Sequence, residues 1–270
     1  MYGLSSGPST RQITPKKGAR IASDPVLLKR AQQVATVTLD RPNSGNRLDA
    51  GVAVSLREVC GLLAQDSDLR LVVLTANGEV FSAGAPEQQD DTGQSLGVAS
   101  AVAALNTPVL VALNGDAVGA GLELALAGDL RICVSTARFG FPGLAGGILP
   151  RDGGTQRLSR LVGPAWARDM LLTGRMVDAK EALSIGLVNR VVDGPECLIA
   201  ITKELTEQIT AGGPIGARYA KEAVNKGMDM TLDQGLGLEA DLNVILQSTS
   251  DRAEGLKSFL EKRPPKYDGT

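Results

Sequence analysis

The chain is predicted to fold as an α/β protein, and three observations carry that expectation. β-Branched apolar runs alternate with helix-period segments over the first two thirds, which implies parallel strands joined by right-handed crossovers. Beyond Gly153 the pattern is mostly helical, punctuated by Gly and Pro. Between them, from Pro108 to Leu158, a strand, a glycine turn and a helix start follow one another within a few residues.

Taken in order, Met1–Ser23 holds four basic residues (Arg11, Lys16, Lys17, Arg20), no acidic ones and scattered Ser, Pro and Gly, the composition of a flexible tail. Order is expected from Asp24. Pro25–Arg30 and Val34–Leu39 read as two strands around a short turn. Asp49–Ala64 reads as a helix with Asp49 as N-cap and an apolar face of Val52, Val54, Leu56, Val59, Leu62 and Leu63. Leu69–Thr75 reads as a buried strand, 81–91 as a polar loop and Leu96–Leu105 as a small-residue helix. Val109–Leu113 and Leu130–Val134 are further strands, flanking the helix that opens near Gly119. The helical segments beyond are Gly154–Leu161, Pro164–Leu172, Ala179–Leu183, Pro195–Thr210, Pro214–Lys226, Leu232–Gln247 and Arg252–Glu261. A short extended piece, Leu187–Val192, interrupts them, and Lys262–Thr270 is expected to fray. The organisation implied is a tail (1–23), a core (24–195) and a C-terminal helical region (196–270).

Composition excludes several functions. With 270 residues, 43% hydrophobic and 21% charged, the chain is an ordinary globular one. A net charge of −2 offers no basic field for nucleic acid or an anionic membrane, and no apolar run approaches a membrane span. There is no histidine, so Ser-His-Asp and Cys-His catalysis and histidine metal sites are ruled out. Acid–base work must fall to carboxylates, Lys, Tyr or Cys. Cys60, Cys133 and Cys197 match neither a zinc spacing nor a disulfide framework and read as reduced thiols of a cytoplasmic chain.

Two glycine-rich segments carry chemistry. Gly119-Ala120-Gly121-Leu122-Glu123 opens a helix that is otherwise apolar, so its single carboxylate is destined for burial and must be used or satisfied. A dinucleotide fingerprint would need glycine where Leu124 stands. Two readings stay open: backbone N–H groups at the helix start polarise a carbonyl while Glu123 moves a proton, or Glu123 merely complements the helix N-terminus. The second segment, Ser82-Ala83-Gly84-Ala85-Pro86, follows a buried strand and lets a ligand approach the backbone closely, or is an ordinary surface loop.

In combination these segments resemble the crotonase superfamily, that of enoyl-CoA hydratases and isomerases. The resemblance is carried by Val34–Pro42, Phe81–Ala85, Asn114–Asp129, Gly153–Leu158, Leu172–Gly174 and Glu181–Val188, in the family's order, and covers roughly Asp24 to Tyr267. It implies a spiral of ββα turns with a helical C-terminal region used for trimerisation, and trimers that often pair into hexamers. It implies an acyl-CoA thioester as substrate, with coenzyme A arriving as part of it, and neither a metal nor a redox cofactor. By position, Ala85 and Ala120 supply the two N–H donors of an oxyanion hole, and Glu123 is the first catalytic glutamate. Ala83, Arg41, Ser44 and Gly119 border the CoA moiety, where Arg41 and Arg47 could meet phosphates.

The departures from the family pattern bear on the activity. After Phe139-Gly140-Phe141-Pro142, where a hydratase carries its second glutamate, this chain has Gly143. The aspartate usual after Gly-Ala in the first loop is Pro86, and the segment between Gly84 and Pro108 is short. Asp152 is the nearest replacement acid in sequence, either entering the pocket or capping the helix that starts at Gly154; Asp90 and Asp91 are expected to be solvated. The activity implied is hydration of a 2-enoyl-CoA. The alternatives are isomerisation, decarboxylation or hydrolysis through the same oxyanion hole, or non-catalytic binding of an acyl-CoA.

Overall fold

A computed structural model of the chain describes residues 25–86 and 95–270. The expected tail (1–23) and the expected solvation of Asp90 and Asp91 lie outside the described residues.

β1 (Val26–Ala31) and β2 (Val34–Leu39) form an antiparallel hairpin pairing Val26 with Leu39 and Ala31 with Val34, and the tight turn holds Gln32 at φ 54°. α1 (Ala50–Ala64) then crosses over to β3 (Leu71–Ala76), which pairs parallel to β2. The Asp49 side chain caps α1, as its sequence suggests, accepting from the Val52 N–H at 2.9 Å. The buried face of α1 is Val52, Ala53, Leu56, Cys60 and Leu63. This corrects the expected stripe: Val54 and Leu62 point outward, because the 3.6-residue period carries the stripe through Ala53 and Cys60 instead.

α2 (Val98–Ala103) is shorter than the sequence suggests and leads into β4 (Val109–Leu113). All five residues of β4 are buried, as a parallel strand covered on both faces must be. β6 (Leu130–Val134) and the late β9 (Arg190–Val192) complete a six-stranded sheet of order β1-β2-β3-β4-β6-β9. Three short strands escape the sequence pattern: β5 (Ala117–Val118), β7 (Arg138–Gly140) and β8 (Val177–Asp178) form a second, small sheet. Two or three residues are too few to show a period. α3 (Ala120–Leu126) runs between β5 and β6, and its Gly121–Leu126 stretch is buried.

α4 (Gly154–Thr173) is broken at Gly163 (φ 81°, ψ 160°), where the sequence separates two helices; the residue before Pro164 is barred from helical geometry. α5 (Ala179–Ser184), α6 (Gly194–Thr210), α7 (Pro214–Gly227), α8 (Leu232–Gln247) and α9 (Ser250–Leu260) follow. Arg131, buried in the core, ties β6 to the β9 approach by donating to Leu187 O (2.8 Å) and Gly128 O (2.6 Å).

The expected fraying of 262–270 is overturned. Asp251 Oδ1 accepts from the N–H groups of Asp268 (3.1 Å) and Gly269 (3.0 Å), and Arg70 donates to Tyr267 O (2.5 Å). Arg263 makes a two-point pair with Glu254 (2.5 and 2.9 Å), which also accepts from the Lys266 N–H at 2.7 Å. The segment is polar and proline-bearing, but its backbone donors are satisfied by buried or paired carboxylates rather than by water. No helix of the described residues is long and apolar enough to cross a membrane.

Candidate active site

Close backbone approach builds the site. Beyond β4 the chain crosses the exit of β3 at Gly115, where a Cβ would lie 1.8 Å from Glu79 O. The loop after β3 then runs parallel to β5: Ser82 bridges Ala117, Ser82 N–H donates to Asp116 O (3.1 Å) and Val118 N–H to Ser82 O (3.0 Å). At Gly84 (φ 87°) a Cβ would stand 2.8 Å from Val118 O and 3.6 Å from the Ala120 nitrogen. At Gly121 it would stand 2.5 Å from Ser82 O. These glycines let two chain segments touch, and so bring the peptides of Ala85 and Ala120 to one place. Ala120 is the first residue of α3, where helix geometry leaves an N–H without an intrahelical acceptor.

The Ala85 loop is fastened to the turn before α1. Ala83 N–H donates to Gly45 O (2.8 Å), Leu48 N–H to Gly84 O (2.9 Å) and Ser82 Oγ to Asn46 O (2.8 Å). Asn46 is a pin in this junction. Buried, with φ 50°, its side chain donates to Asn77 O (2.9 Å) and Val80 O (2.7 Å) and accepts from Arg41 N–H (2.8 Å). The signal for it was the asparagine itself, which tolerates the left-handed region and bonds backbone locally. Of the candidate CoA contacts, Ala83 and Ser44 lie on this joined pair of loops, Ser44 Oγ donating to Arg41 O at 3.1 Å. Gly119 lies immediately before α3 at φ 52°. One edge of the Arg41 guanidinium is taken by Asp49, and Arg47 donates to Ala85 O at 3.0 Å.

Glu123 is 4% exposed. Its Oε1 accepts from the N–H groups of Asp152 (2.6 Å) and Gly154 (2.9 Å), so the helix N-terminus it complements is that of α4 rather than its own. Burial pushes the Glu123 carboxyl above the usual carboxylate range; hydrogen bonds from the backbone of Asp152, Gly154 and Arg151 pull it back in part, and the charge of Asp152 adds to the rise.

Asp152 does not cap α4, which corrects that expectation for it. Its Oδ2 accepts from Ala99 N–H (2.7 Å), and its Oδ1 from Ser100 N–H (3.1 Å) and Ser100 Oγ (2.5 Å), all at the N-terminus of α2. Gly153 (φ 99°) turns the chain so that the Asp152 side chain leaves α4 as its backbone joins it. Both oxygens of this carboxylate are thus engaged by α2. Gly143 is the second residue of a 3₁₀ turn (Pro142–Gly146), and a Cβ on it would meet Ile148 Cβ at 3.4 Å, an ordinary contact.

The enoyl-CoA hydratase/isomerase family matches residues 29–270. The chain belongs to that family. Two relatives are the short-chain-enoyl-CoA hydratase of Clostridium acetobutylicum, 38% identical over 88% of this chain and 95% of that one, and the crotonyl-CoA hydratase of Syntrophomonas wolfei, 34% identical over 92% and 99%. The crystal structure of an enoyl-CoA hydratase from Bacillus anthracis superposes with a TM-score of 0.86 at 35% identity, covering 91% of this chain and 100% of that one. The α/β architecture with its helical C-terminal region is therefore the crotonase fold, and this member of the enoyl-CoA hydratase/isomerase family is an enzyme of hydratase-like type.

Proposed function

We propose that the protein adds water across the double bond of a short-chain 2-enoyl-CoA, with Ala85 and Ala120 as oxyanion donors and Glu123 as the general base. The observation that carries this reading is the buried Glu123 carboxylate beside the place where the Gly84 loop meets the first turn of α3. The thioester oxygen accepts from the two peptide N–H groups, which are fixed before the substrate arrives and stabilise charge only as it develops. Glu123 takes a proton from water, the hydroxyl bonds to Cβ, and the electron pair moves through Cα onto the thioester oxygen. The enolate collapses by taking a proton at Cα. With Gly143 in place of a second acid and Asp152 held on α2, that proton returns from Glu123 itself. One carboxylate thus serves both transfers, and the balance closes with no resident metal or redox cofactor, coenzyme A entering and leaving as the thioester.

Gly143 favours a second reading. With one carboxylate the same hole supports isomerisation: Glu123 removes a proton from Cα of a 3-enoyl thioester and returns it to Cγ. Incubation with 2-enoyl- and 3-enoyl-CoA esters, with products followed by mass and by the absorbance of the conjugated 2-enoyl thioester, separates the two. Hydration adds the mass of one water; isomerisation leaves the mass unchanged and raises the 2-enoyl absorbance from the 3-enoyl ester; neither signal from either ester sinks both.

Apolar side chains on the C-terminal helices support assembly into a homotrimer or a pair of trimers: Leu232, Phe259 and Leu260 are 77%, 81% and 79% exposed in the single chain. The free thiols of Cys60, Cys133 and Cys197 support a cytoplasmic setting.

A further inference from the structure

Two helices near the site begin at glycines that carry no capping side chain, Gly97 before α2 and Gly153 before α4. Each N-terminus is satisfied from a distance instead. Glu123 caps α4 through the Asp152 and Gly154 N–H groups, and Asp152 caps α2 through Ala99 and Ser100. Asp152 belongs to both arrangements, its backbone donating to one carboxylate while its side chain is held by the next helix. We propose that Asp152 is a positioning residue for Glu123: by gripping the N-terminus of α2 it sets where its own N–H holds Glu123 Oε1, and so where the carboxylate stands relative to the Ala120 peptide.

This rests on Glu123 being the general base. The geometry is direct. The bond from Asp152 N to Oε1, at 2.6 Å, is shorter than that from Gly154 N, at 2.9 Å, and Asp152 is itself 7% exposed. A backbone donor can place a carboxylate only if the backbone is held; Gly153, next in the chain, has no side chain to hold it and is tied to α4 only through its carbonyl, which accepts from Gln156 and Arg157 N–H (3.1 and 2.7 Å). The hold comes from the three donors on the Asp152 side chain and from Arg157, which donates to Asp152 O at 2.5 Å. Among the described residues, α2 and β5 contain no charged group. The approach to α4 brings Asp152, and Arg151 donates its N–H; Arg157 of α4 is held on Asp152 O. Among the described residues it is the Asp152 charge that acts on Glu123, so Asp152 favours the protonated form of Glu123 as well as fixing its place.

The test compares Asp152→Asn, Ser100→Ala and Glu123→Gln in the full chain, reading kcat, KM and the pH profile on a short-chain 2-enoyl-CoA, with thermal melts alongside. Asp152→Asn keeps the shape and one acceptor but removes the charge. It is expected to lower kcat about tenfold with KM unchanged, and to move the acid limb of the profile to lower pH. Ser100→Ala removes one donor from Asp152 and leaves its charge less neutralised. It is expected to lower kcat less and to move the limb the opposite way. A merely structural role lowers the melting temperature and leaves both limbs where they are; that result, or a kcat unchanged in either variant, overturns the proposal. Should Asp152→Asn not fold, the upward shift in Ser100→Ala decides alone. Full activity in Glu123→Gln overturns the general-base reading and the positioning role with it, whereas an inactive Glu123→Gln beside an unmoved Asp152→Asn profile overturns the positioning role only.

Discussion

Glu123 and Asp152 meet through a backbone: the Asp152 N–H donates to Glu123 Oε1 at 2.6 Å, while the Asp152 carboxylate turns away to α2. Two acids adjacent in space therefore have separate tasks. One is buried with its proton affinity raised; the other is spent on the N-terminus of α2.

The raised Glu123 carboxyl gives linked predictions for pH. A base works only when deprotonated, so kcat/KM should fall on acidification through a value above the ordinary glutamate range of about 4.3. For stability the sign is the reverse. A carboxyl whose folded value lies above its unfolded one stabilises the fold fully below about pH 4.3 and loses that contribution as pH rises through the folded value. Glu123→Gln keeps an oxygen for the two N–H donors and has no charge to bury. It should cut hydration by about 10²–10⁴-fold, yet melt at the same temperature as the parent or higher at pH 7, the difference shrinking at pH 4. A parent more stable than the variant at pH 7 contradicts the reading.

Gly121→Ala tests the close approach that assembles the oxyanion peptides. The new Cβ would stand 2.5 Å from Ser82 O and 2.6 Å from Ser82 Cβ, and the backbone oxygen has nowhere to rotate. α3 and the Ser82 loop must separate, at about 1–3 kcal/mol. The Ala85 and Ala120 peptides then part, and misplacing one donor costs about 10²–10³-fold in kcat. Chemical denaturation and steady-state kinetics on the same preparation check both; a stable variant with full kcat contradicts the assembly.

What was legible in the sequence followed from local signals. β4 announces itself as an uninterrupted apolar run and β6 as an apolar run broken only by Arg131, Asp49 as a cap before an apolar period, and Pro164 as a break in α4. The GAGLE segment marked Glu123 for burial, because a lone acid among apolar residues has to be accounted for. What stayed hidden depended on long-range pairing. The partners of Asp152 are 52 and 53 residues earlier, and nothing in Gly97 tells that its helix will borrow a cap. The strands β5, β7 and β8 are defined only by one another. The 262–270 segment has the composition of a frayed end, and Asp251, Glu254 and Arg70 hold it from elsewhere.

Phe259 and Leu260 test assembly. Both are about four fifths exposed in the single chain, next to each other at the end of α9, with Leu256 half exposed one turn earlier. Burying such side chains contributes about 1.5–3 kcal/mol each, and a charge placed there would have to be desolvated. Phe259→Asp with Leu260→Asp should convert a trimeric or hexameric species to monomer in sedimentation at micromolar concentration, the core remaining folded by circular dichroism. A parent already monomeric under those conditions contradicts the proposed assembly.

Gly143→Glu tests the single-carboxylate reading from the opposite side. The position has no positive φ to forbid a side chain, and the first added carbon meets Ile148 at ordinary contact distance, 3.4 Å. The peptide lies on the turn that follows Phe141, and the Phe141 ring would stand 3.0 Å from a Cβ on Gly154, one of the two backbone donors to Glu123. A glutamate grown from 143 thus starts beside the Glu123 cradle and supplies a separate acid for Cα. If one carboxylate now makes both transfers, a second should raise kcat for hydration by up to about 10²-fold, with Glu123 still required. The double variant Glu123→Gln, Gly143→Glu should stay inactive. If Gly143→Glu instead leaves hydration unchanged while 3-enoyl-CoA is isomerised by the parent chain, the one-carboxylate site is an isomerase site and the hydratase reading falls.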